Sequence, residues 1–173
     1  MFVAVPPKGI PIIYDEIWRS CVADELAEEV SLRIAGRLVG FIKADPRAWN
    51  EEPVYRVSMA ARFVAHGLAV EKASKALGFG INNMKGILKA RHKEPATGKE
   101  VPSVYFAPHC KRTLREITHW HYDKENKPID KDDHFMECMY RIFMNTLVHI
   151  DPTKSRPVEQ SDLDMSSRIL RDF

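Results

Sequence analysis

Residues 132–148 constrain the fold more than any other stretch of the chain. Phe135, Met136, Met139, Ile142, Phe143 and Leu147 recur at helical spacing and make one apolar face. Most of a helix's stability in a protein comes from packing such a face, so this segment has to lie against a sheet or other helices.

Ahead of it, short β-rich and helical segments alternate, divided by Gly and Pro. Residues 2–5 and 10–17 read as a hairpin around Pro6-Pro7-Lys8-Gly9, with Pro11 at a strand start or edge. Residues 22–36 predict a helix, with Leu26, Val30 and Ile34 at spacings of four and Gly36 as the stop. Residues 38–44 form an apolar run broken only by Gly40 and Lys43 and bounded by Gly36 and Pro46, the pattern of a buried strand. A helix follows at 54–66, a short strand at 68–70, and a helix at 81–91 after the Gly78-Phe79-Gly80 turn. Residues 93–102 read as a loop, 103–107 as a strand, 110–120 as a helix and 123–131 as a polar loop. From Asp151 the chain is rich in Pro, Ser and charge. The pattern argues for one α/β domain over 1–150, a mixed sheet flanked by helices, with a flexible tail at 151–173.

Composition removes several classes of function. An apolar fraction of 45% over 173 residues is that of a folded chain. No apolar run approaches the roughly 18–20 residues of a membrane helix. Met1 to Pro7 lacks the charged and then apolar pattern of a secretory signal, so a cytosolic setting is expected. Cys21, Cys110 and Cys138 form no CxxC and read as reduced, buried thiols. With 26 basic and 24 acidic residues, no global field attracts a polyanion, so any such footprint must be local. The P-loop, the dinucleotide-binding glycine motif, the nucleophile elbow and the zincin motif are all absent from the sequence.

Two places remain for chemistry. Asp45 closes Phe41-Ile42-Lys43-Ala44-Asp45-Pro46, at the carboxyl end of the predicted central strand, where open α/β sheets place ligands. An Asp before Pro also simply begins a turn. The second place is Asp132-Asp133-His134-Phe135-Met136-Glu137. Asp133 and Glu137 are four apart, and His134 and Glu137 three apart, so each pair shares a helix face. Like charges so placed repel unless a cation lies between them, and Mg²⁺ takes carboxylate oxygens. Asp132 and Asp133 equally suit the start of a helix as caps. If the last helix packs at the strand end, Asp45, Asp133, His134 and Glu137 form an acidic cluster. Such clusters hold two Mg²⁺ or Mn²⁺ ions about 3.5–4 Å apart for phosphodiester hydrolysis. Removing an unpaired carboxylate there is expected to hold or raise the metal-free thermal midpoint.

A local basic patch suits a polyanionic substrate. Residues 72–93 carry Lys72, Lys75, Lys85, Lys89, Arg91 and Lys93, with Glu71 and Glu94 only at the margins. Asn82 and Asn83 open the predicted helix, whose free N–H groups favour phosphate. A solvated helix face is the alternative.

Several of these motifs together resemble the C-terminal nuclease domain of the large terminase subunit of tailed bacteriophages, an RNase H-like fold. Asp133-His134-Phe135-Met136-Glu137-Cys138-Met139-Tyr140-Arg141 is similar to the family's Asp-His-x-x-Asp-(Ala)-(Leu)-Arg-Tyr. Lys127-Pro128-Ile129-Asp130-Lys131-Asp132 resembles the approach to it, and Lys43-Ala44-Asp45-Pro46 the strand that ends in an acidic metal ligand. The segment from Leu77 to Lys85 resembles the family's Gly-Ile turn and basic helix, and the hairpin ending Tyr14-Asp15-Glu16 also fits.

The resemblance spans about residues 2–148 and implies a two-metal endonuclease that cuts concatemeric viral DNA during packaging in the host cytoplasm. Asp45, Asp133 and Glu137 would be metal ligands. His134 would be an additional ligand or proton shuttle, and Lys72, Lys75, Asn82, Lys85, Lys89 and Arg91 would contact DNA. Implied partners are double-stranded viral DNA, the terminase ATPase domain, the small terminase subunit and the portal, with no membrane.

Three departures stand out. Glu137 replaces Asp, and Tyr140-Arg141 reverses the family's order. The family's first catalytic Asp lies on a strand ahead of this hairpin, so the domain is expected to be N-terminally incomplete, with Asp15 or Glu16 the residues nearest to substituting. A non-catalytic DNA-binding or motor-docking fragment is the alternative reading. A scaffold whose acidic motif only caps a helix is a third.

Overall fold

The structure is a computed structural model that describes residues 1–7, 9–53, 56–94, 97–125, 127–129 and 131–153. Its strands are β1 (Phe2–Ala4), β2 (Ile12–Asp15), β3 (Ile42–Ala44), β4 (Val70–Lys72), β5 (Arg91–Lys93), β6 (Glu100–Pro102) and β7 (Tyr105–Phe106). Its helices are α1 (Ala23–Ile34), α2 (Met59–Ala65), α3 (Leu77–Lys89), α4 (Lys111–His119) and α5 (His134–Phe143), with a 3-10 turn at Pro46–Trp49. The α/β class therefore holds, but among the described residues the strands form three small sheets, β1-β2-β7, β3-β4 and β5-β6, rather than the one mixed sheet expected. The predicted tail from residue 154 onward lies outside the described residues.

The expected hairpin forms. β1 pairs antiparallel with β2 through a bulge between Phe2 and Val3, and Gly9, at φ +84°, closes the turn on the Pro6 carbonyl. β7 joins β2 in parallel, which makes this small sheet mixed. Ile13 on β2 is fully buried beneath α3, α4 and α5 with Ile81, Met84, Val104, Cys110, Met136, Met139 and Phe143. The apolar stripe read from the sequence thus covers the main core. A second cluster joins Ala27 on α1, Phe63 on α2 and Leu68, with Ile42 and Val70 packed against it.

Several expectations change. The helix expected at 54–66 begins only at Met59, and the strand expected at 68–70 lies at Val70–Lys72. The run 38–44 is not a central strand: only Ile42–Ala44 is extended, paired in parallel with β4 alone, while Leu38 and Val39 are exposed. Gly36, at φ +70°, turns the chain out of α1, and an apolar run that short carries no mark of whether it is covered. The stretch 93–102 is not a loop but most of a hairpin, β5–β6, whose turn is closed by the Glu94 N–H on the Lys99 carbonyl at 2.8 Å. The basic helix begins at Leu77, four residues early, and swallows the glycines read as a turn. Gly80 serves packing instead: a Cβ there would come within 2.6 Å of the Tyr140 ring and 2.9 Å of the Met144 sulfur. The last helix is shorter than 132–148, because the Asn145 amide donates to the Arg141 and Ile142 carbonyls and ends it.

Among the described residues no helix is long and apolar enough to cross a membrane.

Candidate metal and nucleic-acid site

Asp45 follows β3 directly and starts the 3-10 turn, so the turn reading is correct as far as it goes. Its Oδ1 accepts the Arg47 N–H at 2.7 Å. Its Oδ2 does something else: it pairs with Nη2 of Arg141 on α5 at 2.5 Å. Nη1 of the same guanidinium meets Glu137 Oε2, one turn earlier on α5, at 3.2 Å. One arginine thus draws together the two carboxylates that the sequence nominated from opposite ends of the chain. It places their nearest oxygens within about 8 Å of each other, a limit set by the guanidinium fork.

Asp133 stands just before α5 and lines a cavity of about 240 Å³ with Glu137 and Tyr140, closed by Leu77 and Ile81 of α3 and by Trp120, Pro128 and Ile129. The Trp120 indole N–H is buried there without a hydrogen-bond partner among the described residues. Burial pushes the Tyr140 phenol above its ordinary range, while Arg141 pulls it back, so Tyr140 is protonated at neutral pH. The Cys138 thiol is raised by burial in the same way.

Neither Asp132 nor Asp133 caps α5 with its side chain. Asp133 occupies the cap position without a side-chain cap bond, and Asp132, at φ +51°, pairs with Arg112. The cap comes from α4. Glu116, 1% exposed, accepts the Phe135 and Met136 N–H groups on Oε2 at 2.7 and 3.3 Å, and its Oε1 pairs with Arg112. α4 is capped in turn by Glu16, whose carboxylate accepts the Arg112 and Thr113 N–H groups and the Thr113 hydroxyl. Asp15 is bound to Arg33 at 2.6 Å. Both hairpin carboxylates therefore already serve the fold.

His134 does not meet Glu137. Its exposed ring packs on the Trp18 indole at a centroid distance of 5.2 Å. Among the described residues no group of three or more His, Cys, Asp or Glu is gathered to hold a metal ion. Asp130 lies outside them. The carboxylates of Asp45 and Glu137 are nonetheless the donor type that Mg²⁺ and Mn²⁺ take, and a cation already sits between them.

The basic residues divide by what they touch. Lys75 and Lys89 are exposed, as is Asn82. Asn82 lies five residues inside α3, so it offers its side chain rather than a helix-end N–H. Lys72 rests over the Trp49 ring. Lys85 is tied to Tyr122, with its ammonium 4.0 Å from the ring centre and 2.7 Å from the hydroxyl. Arg91 donates to the Leu88 and Ala90 carbonyls and closes the end of α3. If DNA tracks along this segment, Lys89→Ala should flatten the slope of log K against log salt by about 0.9, one phosphate's worth. Lys85→Ala should leave the slope nearly unchanged and lower stability instead. Equal slopes for wild type and Lys89→Ala would move the DNA path elsewhere.

Sequence reasoning missed Arg141 and Glu116. Glu137 and Arg141 are four apart on one helix, so half of that contact was readable from spacing.

No family model, curated protein or solved structure matches this chain.

Proposed function

We propose that this chain is a metal-dependent endonuclease domain of the terminase large-subunit kind, RNase H-like in fold, acting on double-stranded viral DNA in the host cytoplasm. The observation that carries this reading is the meeting of Asp45 and Glu137 at one guanidinium, since both were nominated independently as metal ligands. Asp45 and Glu137 would hold the ion and Asp133 would flank it from the adjoining cavity. His134, at the mouth of α5, is left with the proton-relay role. A bound Mg²⁺ or Mn²⁺ would activate water and neutralise charge developing on the phosphodiester. Lys75 and Lys89 would hold the DNA backbone without reading sequence. The ATPase domain, small subunit and portal are the partners this reading implies.

A non-catalytic DNA-binding or docking role has its own support: no third carboxylate joins the pair among the described residues, and Asp15 and Glu16 are engaged elsewhere. Mn²⁺ titration followed by electron paramagnetic resonance separates the two. The nuclease reading expects one weakly bound ion per chain, lost in both Asp45→Asn and Glu137→Gln. Undiminished binding in both variants would remove the site. A folded wild type that binds no Mn²⁺ would favour the docking role.

A further inference from the structure

We propose that the cleft walled by α3, the β5–β6 hairpin and the end of α5 binds an adenine-type base, a flat uncharged heterocycle carrying an exocyclic amine. None of Asp45, Asp133 and Glu137 lines this cleft, so the inference does not rest on the metal-site reading.

The cleft holds about 490 Å³, inside the roughly 300–1,000 Å³ range of small-molecule sites. Ile10, Ile87 and Leu147 give it apolar walls, and no Asp, Glu, Lys or Arg lines it among the described residues. A charged group lodged there would lose water without gaining a partner, so the part of a ligand inside is neutral. Asn82, Asn83 and Asn145 also line it, and they differ in what they have left to offer. The Asn83 amide donates to the Phe143 carbonyl at 2.5 Å, and the Asn145 amide to the Arg141 and Ile142 carbonyls. Each is held by its nitrogen, which leaves its Oδ1 to accept. Asn82 is exposed and makes no side-chain hydrogen bond among the described residues, so it offers a donor and an acceptor side by side. That edge matches the amine and ring nitrogen of adenine, the pairing by which asparagine reads this base. The two held acceptors favour an amine over a keto group. From the hairpin, Ser103 Oγ and His92 Nε2, 2.8 Å apart, complete the polar lining.

Gly86 keeps the cleft open. It lies within α3, where glycine is disfavoured relative to alanine. Unlike Gly80 it packs against nothing, since a Cβ there meets no atom within 4 Å. The space its missing side chain leaves belongs to the cleft.

The test is an NMR titration with adenosine in EDTA, so that its failure leaves the nuclease reading untouched. Wild type should bind with a Kd of about 1 mM or tighter and shift the Asn82 and Asn83 side-chain amide resonances. Inosine, with a keto group in place of the amine, should bind at least about tenfold more weakly. Gly86→Leu should fill the cleft, keep or raise the thermal midpoint, and weaken adenosine at least about tenfold. Asn82→Ala, at an exposed position, should weaken adenosine and narrow the gap between the two nucleosides. No adenosine binding by folded wild type, equal affinity for inosine, or full binding by a folded Gly86→Leu chain would each overturn the proposal. Single-stranded oligodeoxyadenylate separates the two sources of such a base. Displacement of adenosine by it supports the cleft as a seat for an unpaired base of a DNA strand, and adenosine left undisturbed supports it as a seat for a free nucleoside.

Discussion

Glu116→Ala should cost the chain about 3 kcal/mol of stability. The Phe135 and Met136 N–H groups would lose their acceptor, at roughly 1–3 kcal/mol for each buried donor left unpaired. Nothing on α5 replaces it, because Asp133 makes no side-chain cap of its own and Asp132 is held by Arg112. Glu116→Gln keeps one oxygen for both donors and should lose only about 1 kcal/mol. Urea denaturation of both variants measures the difference. A Glu116→Ala chain as stable as Glu116→Gln would mean that the cap adds nothing beyond filling space.

Asp45→Asn should reduce Mn²⁺-driven nicking of supercoiled plasmid to background, a drop of at least about 100-fold if one of two metal contacts is lost. Glu137→Gln should do the same. The 173-residue chain itself is expected to nick weakly with Mn²⁺ and scarcely with Mg²⁺, since among the described residues only two carboxylates meet. Full-strength cleavage abolished by Asp15→Asn or Glu16→Gln would show that the hairpin supplies a ligand despite its contacts to Arg33 and α4. On stability, the structure reverses the sequence expectation. Asp45 is paired, so Asp45→Asn in metal-free protein should lose about 1 kcal/mol, the net worth of a partly exposed ion pair. A raised thermal midpoint would argue that the Asp45–Arg141 contact is not formed in solution.

The parts of this fold legible in the sequence are those whose signal is local. The hairpin is announced by its Pro-Pro-Lys-Gly turn, α1 and α5 by their stripes, and the end of α2 by Gly67, although its start, after the Ser58 cap, lies five residues later than expected. What was illegible depends on distant neighbours. Gly78-Phe79-Gly80 looks like a turn until the Tyr140 ring arrives against Gly80. Residues 38–44 look buried because hydrophobicity does not say whether a cover exists. The acidic pair was readable as two candidates, but its cation was not, since half of the Arg141 contact crosses from α5 to the end of β3. Residues picked for charge alone divide the same way: Lys89 is exposed, whereas Lys85 and Arg91 are spent on Tyr122 and on the end of α3.

The close seam at Gly80 has a mechanical meaning. α3 and α5 touch with a glycine under the Tyr140 ring, and the Asn83 amide donates across to the Phe143 carbonyl at 2.5 Å. Neither helix can slide or roll along the other without opening a void at one contact or a collision at the other. The two helices therefore act as a fixed gauge. Lys89 lies at the end of one and Glu137 on the other, so on the nuclease reading proposed above a duplex held at Lys89 would meet Glu137 at a spacing set by this seam.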